Sequence, residues 1–294
     1  MTATTHQELA ALENSALHAL VKDIGIPPRP SLLVDLQDEL KRDEPRMRRM
    51  ADIVGSDVAM SGALLKAANS PLLGLSRRAE TVEHAFMLLG FAQCQAIFTE
   101  LVLRKALPAD GPTLTRFWDV SAKRARAMSW LARSKRIVSP ALAHTYGLFM
   151  DVGIPVLARR WPGPADTAYL ATLARANESE ALPFTRVEQD AHGTDHTLVG
   201  ALTARTWGVS QTAVLAVRLH HEYNAWTGPL PPEVSELLCL GLVSDHIIQR
   251  FQGLNRHTEW VKGGAIAMDK LNLDAALLDD WADEVHQVFE ETGL

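Results

Sequence analysis

The sequence predicts an all-α protein on three observations. Apolar residues recur every three or four positions, period-two alternation is scarce, and Pro, Gly and Asn break the chain at helix-length intervals. In chain order, Leu9, Leu12, Ala16, Leu20 and Ile24 share one helical face, which Pro27, Pro28 and Pro30 close. Ser31 is placed to cap the next helix, with Leu32, Leu33, Leu36 and Leu40 facing inward. Pro45, behind Asp43 and Glu44, sits at a first-turn position and opens a helix through Met47, Met50, Ile53 and Val54. Asp57 is expected to cap VAMSGALLKAANS, which ends at Asn69-Ser70-Pro71, where Asn69 can adopt the left-handed geometry. Thr81 caps VEHAFMLLG, and Gly90 stops it before FAQCQAIFTELVLRKAL.

PADGPT, residues 108–113, has the composition of a loop between subdomains, dividing the chain into 1–108 and 113–294. A long amphipathic helix then runs through Trp118 to Lys135, and Ser139-Pro140 begin a helix expected to carry Asp151. Further helices are expected near 164–177, 195–207, 210–223, 231–251 and 274–292, with no internal repeat.

Composition excludes several classes of function. The chain has 294 residues, 47% of them hydrophobic, which suffices for a sizeable core. No unbroken apolar run approaches the ~20 residues of a membrane span, and the N-terminus lacks the basic start of a signal peptide, so a cytoplasmic location is expected. Cys94 and Cys239 lie in apolar helical settings and read as buried, reduced thiols. The net charge is −6, divided as +4 over 1–136 and −10 over 137–294, which argues against a nucleic-acid binder. The basic excess gathers around 116–136, and Lys123, Arg124 and Arg126 are its candidate interaction residues, for an acidic partner or an anionic ligand.

Two acids stand out because they fall in apolar surroundings: Asp151 within GLFMDVG and Asp245 within LGLVSDHIIQRF. A buried carboxylate needs a partner, hydrogen bonds or a metal. Four of the eleven histidines lie between 192 and 221. His192 and His196 are four apart, but Thr194 or Asp195 reads as a helix cap between them, which weakens them as a pair on one face. His220 and His221 end a helix, where a cation also complements the dipole. Carboxylates and imidazoles drawn from several helices suit zinc, manganese or iron, and such an ion can activate water against a phosphate ester.

The second half resembles the HD superfamily of metal-dependent phosphohydrolases, and the chain as a whole resembles the HDOD family of bacterial signalling output domains. The marks are IPPRPSLL at 26–33, IVGSDVAMSGALLKAANSPLLG at 53–74, TVEHAFMLLGF at 81–91, FWDVSAKRA at 117–125, YGLFMDVG at 146–153, HTLVGALTARTWGVS at 196–210 and His220-His221. The resemblance implies an N-terminal helical subdomain packed on an HD-like helical subdomain. It matches Asp151 to the Asp of the His-Asp dyad, places Met150 where its His belongs, and implies an earlier helical His near Asp119 to Ser121, where none occurs. Asp151, His196, His220, His221 and Asp245 remain as vestigial metal-ligand candidates. Val58 replaces the proline usual after the capping Asp, and the segment after His221 lacks the GYP extension of cyclic-di-GMP phosphodiesterases.

The expected function is therefore a non-catalytic bacterial signal-transduction module that binds a signalling protein or an anionic nucleotide effector. No cofactor is expected beyond weak divalent metal, and no membrane contact. The alternative is a metal-dependent phosphohydrolase or nucleotide-processing enzyme with a reduced ligand set.

Overall fold

The computed structural model describes residues 23–70, 78–107, 112–163, 168–253 and 258–292, and these contain helices and no strand. The helix expected over Leu9–Ile24, apart from its last two residues, and most of the PADGPT loop lie outside the described residues. The first five helices are α1 (Ser31–Leu40), α2 (Met47–Gly55), α3 (Val58–Ala68), α4 (Val82–Leu89) and α5 (Phe91–Ala106).

Their ends follow from local chemistry, with three departures from expectation. Asp57 caps α3 by accepting from the Met60 N–H at 3.2 Å, and Thr81 caps α4 by accepting from the His84 N–H at 3.0 Å. Gly90, at φ 75°, lets the chain turn by 120° between α4 and α5. Ser31, in contrast, is the first helical residue of α1 and its side chain caps nothing; Pro30 holds the N-cap position. Pro45 precedes α2, whose N-cap is Arg46, because the Arg46 backbone and guanidinium both bond Glu39. Asn69 ends α3 without positive φ: its amide donates to the Ala79 carbonyl at 2.9 Å and accepts from the Ala79 N–H at 2.7 Å, clipping the returning chain to the helix end.

The remaining helices are α6 (Pro112–Lys135), α7 (Pro140–Phe149), α8 (Gly153–Arg160), α9 (Tyr169–Glu178), α10 (Phe184–His192), α11 (His196–Thr206), α12 (Gln211–Leu219), α13 (Tyr223–Trp226), α14 (Pro232–Phe251), α15 (Thr258–Lys270) and α16 (Ala275–Thr292). Helix α7 is the hub. It packs on α5 from the first group and on α6, α11, α12 and α14 from the second, so one apolar core joins both groups. Helices α10 and α15 have no counterpart in the sequence expectation. Their segments FTRVEQDAH and TEWVKGGAIAMDK are rich in polar or small residues, and they are helical because α9 and α14 cover their narrow apolar stripes.

The stretch Pro140–Arg160 has the length and apolarity of a membrane span, and its most apolar 18 residues are 78% buried inside the protein. It is not one helix, as the sequence pattern implied, because α7 ends at Phe149 and α8 begins at Gly153. Cys94 and Cys239 are buried free thiols whose pKa burial pushes up to about 12.

Candidate functional site

The break between α7 and α8 places Asp151, and two glycines determine how closely other helices approach it. A Cβ on Gly147 would come within 2.9 Å of Ala125 Cα, so its absence lets α6 lie directly against α7. A Cβ on Gly153 would sit 2.1 Å from the His196 carbonyl oxygen, so only glycine lets α8 start against the first turn of α11. Asp195 fixes that turn by accepting from the Leu198 N–H at 2.9 Å, from Thr197 at 2.5 Å and from Gln189 at 2.7 Å. His196 is then the first residue of α11 and faces Asp151.

The structure gathers Asp151, His196, His220 and His221 so that one ligand atom from each lies within 4.8 Å of the others. Asp151 Oδ1 is 3.5 Å from His196 Nε2 and 3.2 Å from His220 Nε2, and the two nitrogens are 3.1 Å apart. Each imidazole is anchored through its other nitrogen. His196 Nδ1 bonds the fully buried Glu188 at 2.7 Å, His220 Nδ1 donates to the Val217 carbonyl at 2.7 Å, and His221 Nδ1 bonds Glu259 at 2.6 Å. Tyr169 donates to Glu188, while Tyr223 and Lys262 each donate to Glu259 at 2.7 Å.

Asp245 stands apart from this set because Arg124 holds it. The Arg124 side chain is 5% exposed; its Nε donates to Asp245 Oδ1 at 2.5 Å and its Nη2 to Asp151 Oδ2 at 2.6 Å. Lys123, Arg124 and Arg126, the interaction candidates of the sequence, all face carboxylates of the chain itself. Arg124 points into the core, Lys123 is mostly buried on Asp119 at 2.7 Å, and Arg126 reaches the buried Glu100 at 3.4 Å. Met150 packs with its sulfur against Gly241 of α14, which accounts for an apolar residue beside the acid. His192 lies elsewhere, bonded to Thr172 at 3.0 Å and packed on Trp161 and Tyr169.

The charges respond to this geometry. Burial opposes ionisation of both Asp151 and Arg124, but their mutual attraction overcomes it, holding Asp151 well below the usual carboxylate range and raising Arg124. Burial, with the Asp151 charge, raises Asp245 despite Arg124 and His221. Burial disfavours a charged His196, yet Glu188 and Asp151 carry it up to about 10, whereas burial and His221 bring His220 down to about 4.

The donor set also fits one metal ion. Distances of 3.1–3.5 Å among Asp151 Oδ1, His196 Nε2 and His220 Nε2 match the edges spanned by ligands ~2.1 Å from a common centre, and the anchored Nδ1 atoms leave both Nε2 atoms facing it. Asp151 Oδ2 and Asp245 Oδ1 are occupied by Arg124, so the guanidinium takes up the carboxylate capacity that a second ion would need.

The family model for the HDOD domain matches residues 26–223. The chain belongs to the HDOD family. This HDOD chain is 21% identical over 198 residues to an uncharacterized protein of Treponema pallidum; the match takes in 67% of the chain and 37% of that protein's own length. Its fold is shared with a Shewanella amazonensis protein assigned by name to the phosphohydrolases, at TM-score 0.67 and 19% identity, covering 96% of this chain and 98% of that one. It is shared equally with a Marinobacter aquaeolei protein assigned by name to signal transduction, at TM-score 0.67 and 22% identity, covering 93% of this chain and 60% of that one. Asp245 and Glu259 lie beyond the family match, on α14 and α15. Neither Glu188 nor Glu259 was legible as a site residue, since each shares its helix with another acid and its histidine partner is identified only by tertiary packing.

Proposed function

We propose that this HDOD chain is a non-catalytic signal-transduction module of a bacterial pathway, which acts by binding a signalling protein. One observation carries the reading: the Arg124 guanidinium bridges Asp151 and Asp245. A guanidinium neutralises and orients carboxylates, but it has no open coordination position and does not lower the pKa of a bound water as a metal does. Met150 supports the same reading, since a thioether packed on Gly241 offers nothing to a hard ion. The anionic-effector form of the expectation loses its support, because Lys123, Arg124 and Arg126 already face carboxylates.

The test is elemental analysis of tag-free protein before and after loading with zinc, manganese or iron, combined with assay of p-nitrophenyl phosphate and related esters. The expected result is no metal-dependent turnover. Turnover abolished by Asp151→Ala would overturn the reading.

The arrangement of Asp151, His196 and His220 favours a second reading, that of a single-ion phosphohydrolase with a reduced ligand set. An ion held there would supply Lewis-acid activation of water. In that reading Glu188→Gln, which loosens His196, lowers zinc affinity by roughly 10–100-fold; unchanged affinity in a zinc titration would count against it.

A further inference from the structure

Asp151 uses its two oxygens for different purposes. Oδ1 faces His196 Nε2 at 3.5 Å and His220 Nε2 at 3.2 Å, the donor set that fits one ion, while Oδ2 receives Arg124 Nη2 at 2.6 Å. One carboxylate therefore serves two cation positions, and the chain's own guanidinium holds one of them. Arg124 is tied in place, since its Nε also bonds Asp245 Oδ1 at 2.5 Å, and it stays charged because a guanidinium does not deprotonate in proteins. Two cations sharing one largely buried carboxylate repel each other, and burial limits the screening of that repulsion.

The site keeps its shape through partners within the chain. Glu188 holds His196 Nδ1 at 2.7 Å, the Val217 carbonyl holds His220 Nδ1 at 2.7 Å, and Arg124 gives Asp151 its counter-charge. Two carboxylates and one guanidinium leave one negative charge, so a divalent cation is still attracted, but less strongly than by the two acids alone. A tethered competing cation of this kind lowers affinity and lets occupancy follow the concentration of the ion, as ligand charge sets the working range of other cation sites. Imidazoles beside a carboxylate select a zinc-like ion over calcium or magnesium. The competition also reaches the fold, because Arg124 ties α6 to α14 and to the break between α7 and α8.

We propose that the input to this module is a zinc-like divalent cation and that Arg124 is its tethered antagonist. An ion on Asp151 Oδ1, His196 and His220 weakens the Arg124–Asp151 pair, and Arg124 in turn holds the affinity of the ion down. The two effects are a single coupling free energy and are equal in size. The proposal rests on the regulatory reading and names its input; Arg124 acts through Asp151 and does not itself contact the ion.

The test is the zinc affinity of the full chain, measured by competition with a chromophoric chelator, together with urea unfolding with and without saturating zinc. Arg124→Gln, which removes the charge, is expected to bind zinc at least about fivefold more tightly than the parent. Arg124→Lys, which keeps the charge, is expected to bind it less tightly than Arg124→Gln, and His196→Ala to lose it in either background. By reciprocity, zinc should raise the unfolding midpoint of Arg124→Gln by more than that of the parent, and should fold the variant if the substitution alone unfolds it. Zinc affinity in Arg124→Gln equal to or weaker than that of the parent overturns the proposal. So do zinc that survives His196→Ala, zinc bound by neither chain, and an Arg124→Gln chain that zinc fails to fold. Turnover of p-nitrophenyl phosphate by the zinc-loaded parent overturns the non-catalytic reading instead, and the affinity comparison is scored without that assay.

Discussion

Asp151 and Asp245 were recognisable as acids needing a partner, and His196, His220 and His221 as candidate company, because residue type and local setting announce such groups. The partner itself was not recognisable. Arg124 lies in a helix with Arg126 and Arg133 on other faces, and what turns it inward is Asp245, 121 positions away in the chain. This inward charge sets the energetics. Arg124→Met takes the cation away from two buried carboxylates, leaving Asp151 only its imidazole neighbours, and is expected to destabilise the fold by about 3–5 kcal/mol, read from urea unfolding midpoints. Combining it with Asp151→Asn and Asp245→Asn should recover most of that loss, because breaking a buried ion group is far costlier than replacing it. If the triple variant is as unstable as the single one, packing rather than charge is what Arg124 contributes.

At the level of elements, most of the helical order was legible from periodicity and caps such as Asp57, Thr81 and Asp195. The exceptions share a cause. GLFMDVG reads as continuous helix on apolar spacing alone, and the break at Asp151 exists because Gly153 meets the first turn of α11, a contact no local pattern contains. Gly153→Ala is expected to force that contact apart, since the new Cβ would meet backbone that cannot rotate away; a loss of roughly 1–3 kcal/mol follows. The methyl resonances around His196 should shift together with the unfolding midpoint. Stability within a few tenths of a kcal/mol of the parent would show that α8 can slide along α11.

For the whole molecule, the family match ends at residue 223, but the structural unit does not. Helix α14 supplies Asp245 and packs on α6, α7 and α12, while α15 anchors His221 through Glu259. A chain ending at Tyr223 is therefore expected to lose its cooperative calorimetric transition and its near-UV circular dichroism while retaining helical far-UV signal. A sharp transition in that truncated chain would mean the family core folds without its C-terminal helices. The buried stretch Pro140–Arg160 has a further consequence during biosynthesis. When it leaves the ribosome, α11, α12 and α14 do not yet exist to cover it, and it has the length and mean hydropathy of a membrane span. Asp151 stands near its midpoint, where an aspartate opposes insertion by about 2.5–3.5 kcal/mol. The same carboxylate that organises the site thus marks the nascent segment for the aqueous route, and Asp151→Leu should raise the membrane-inserted fraction of this stretch in a translocon reporter assay.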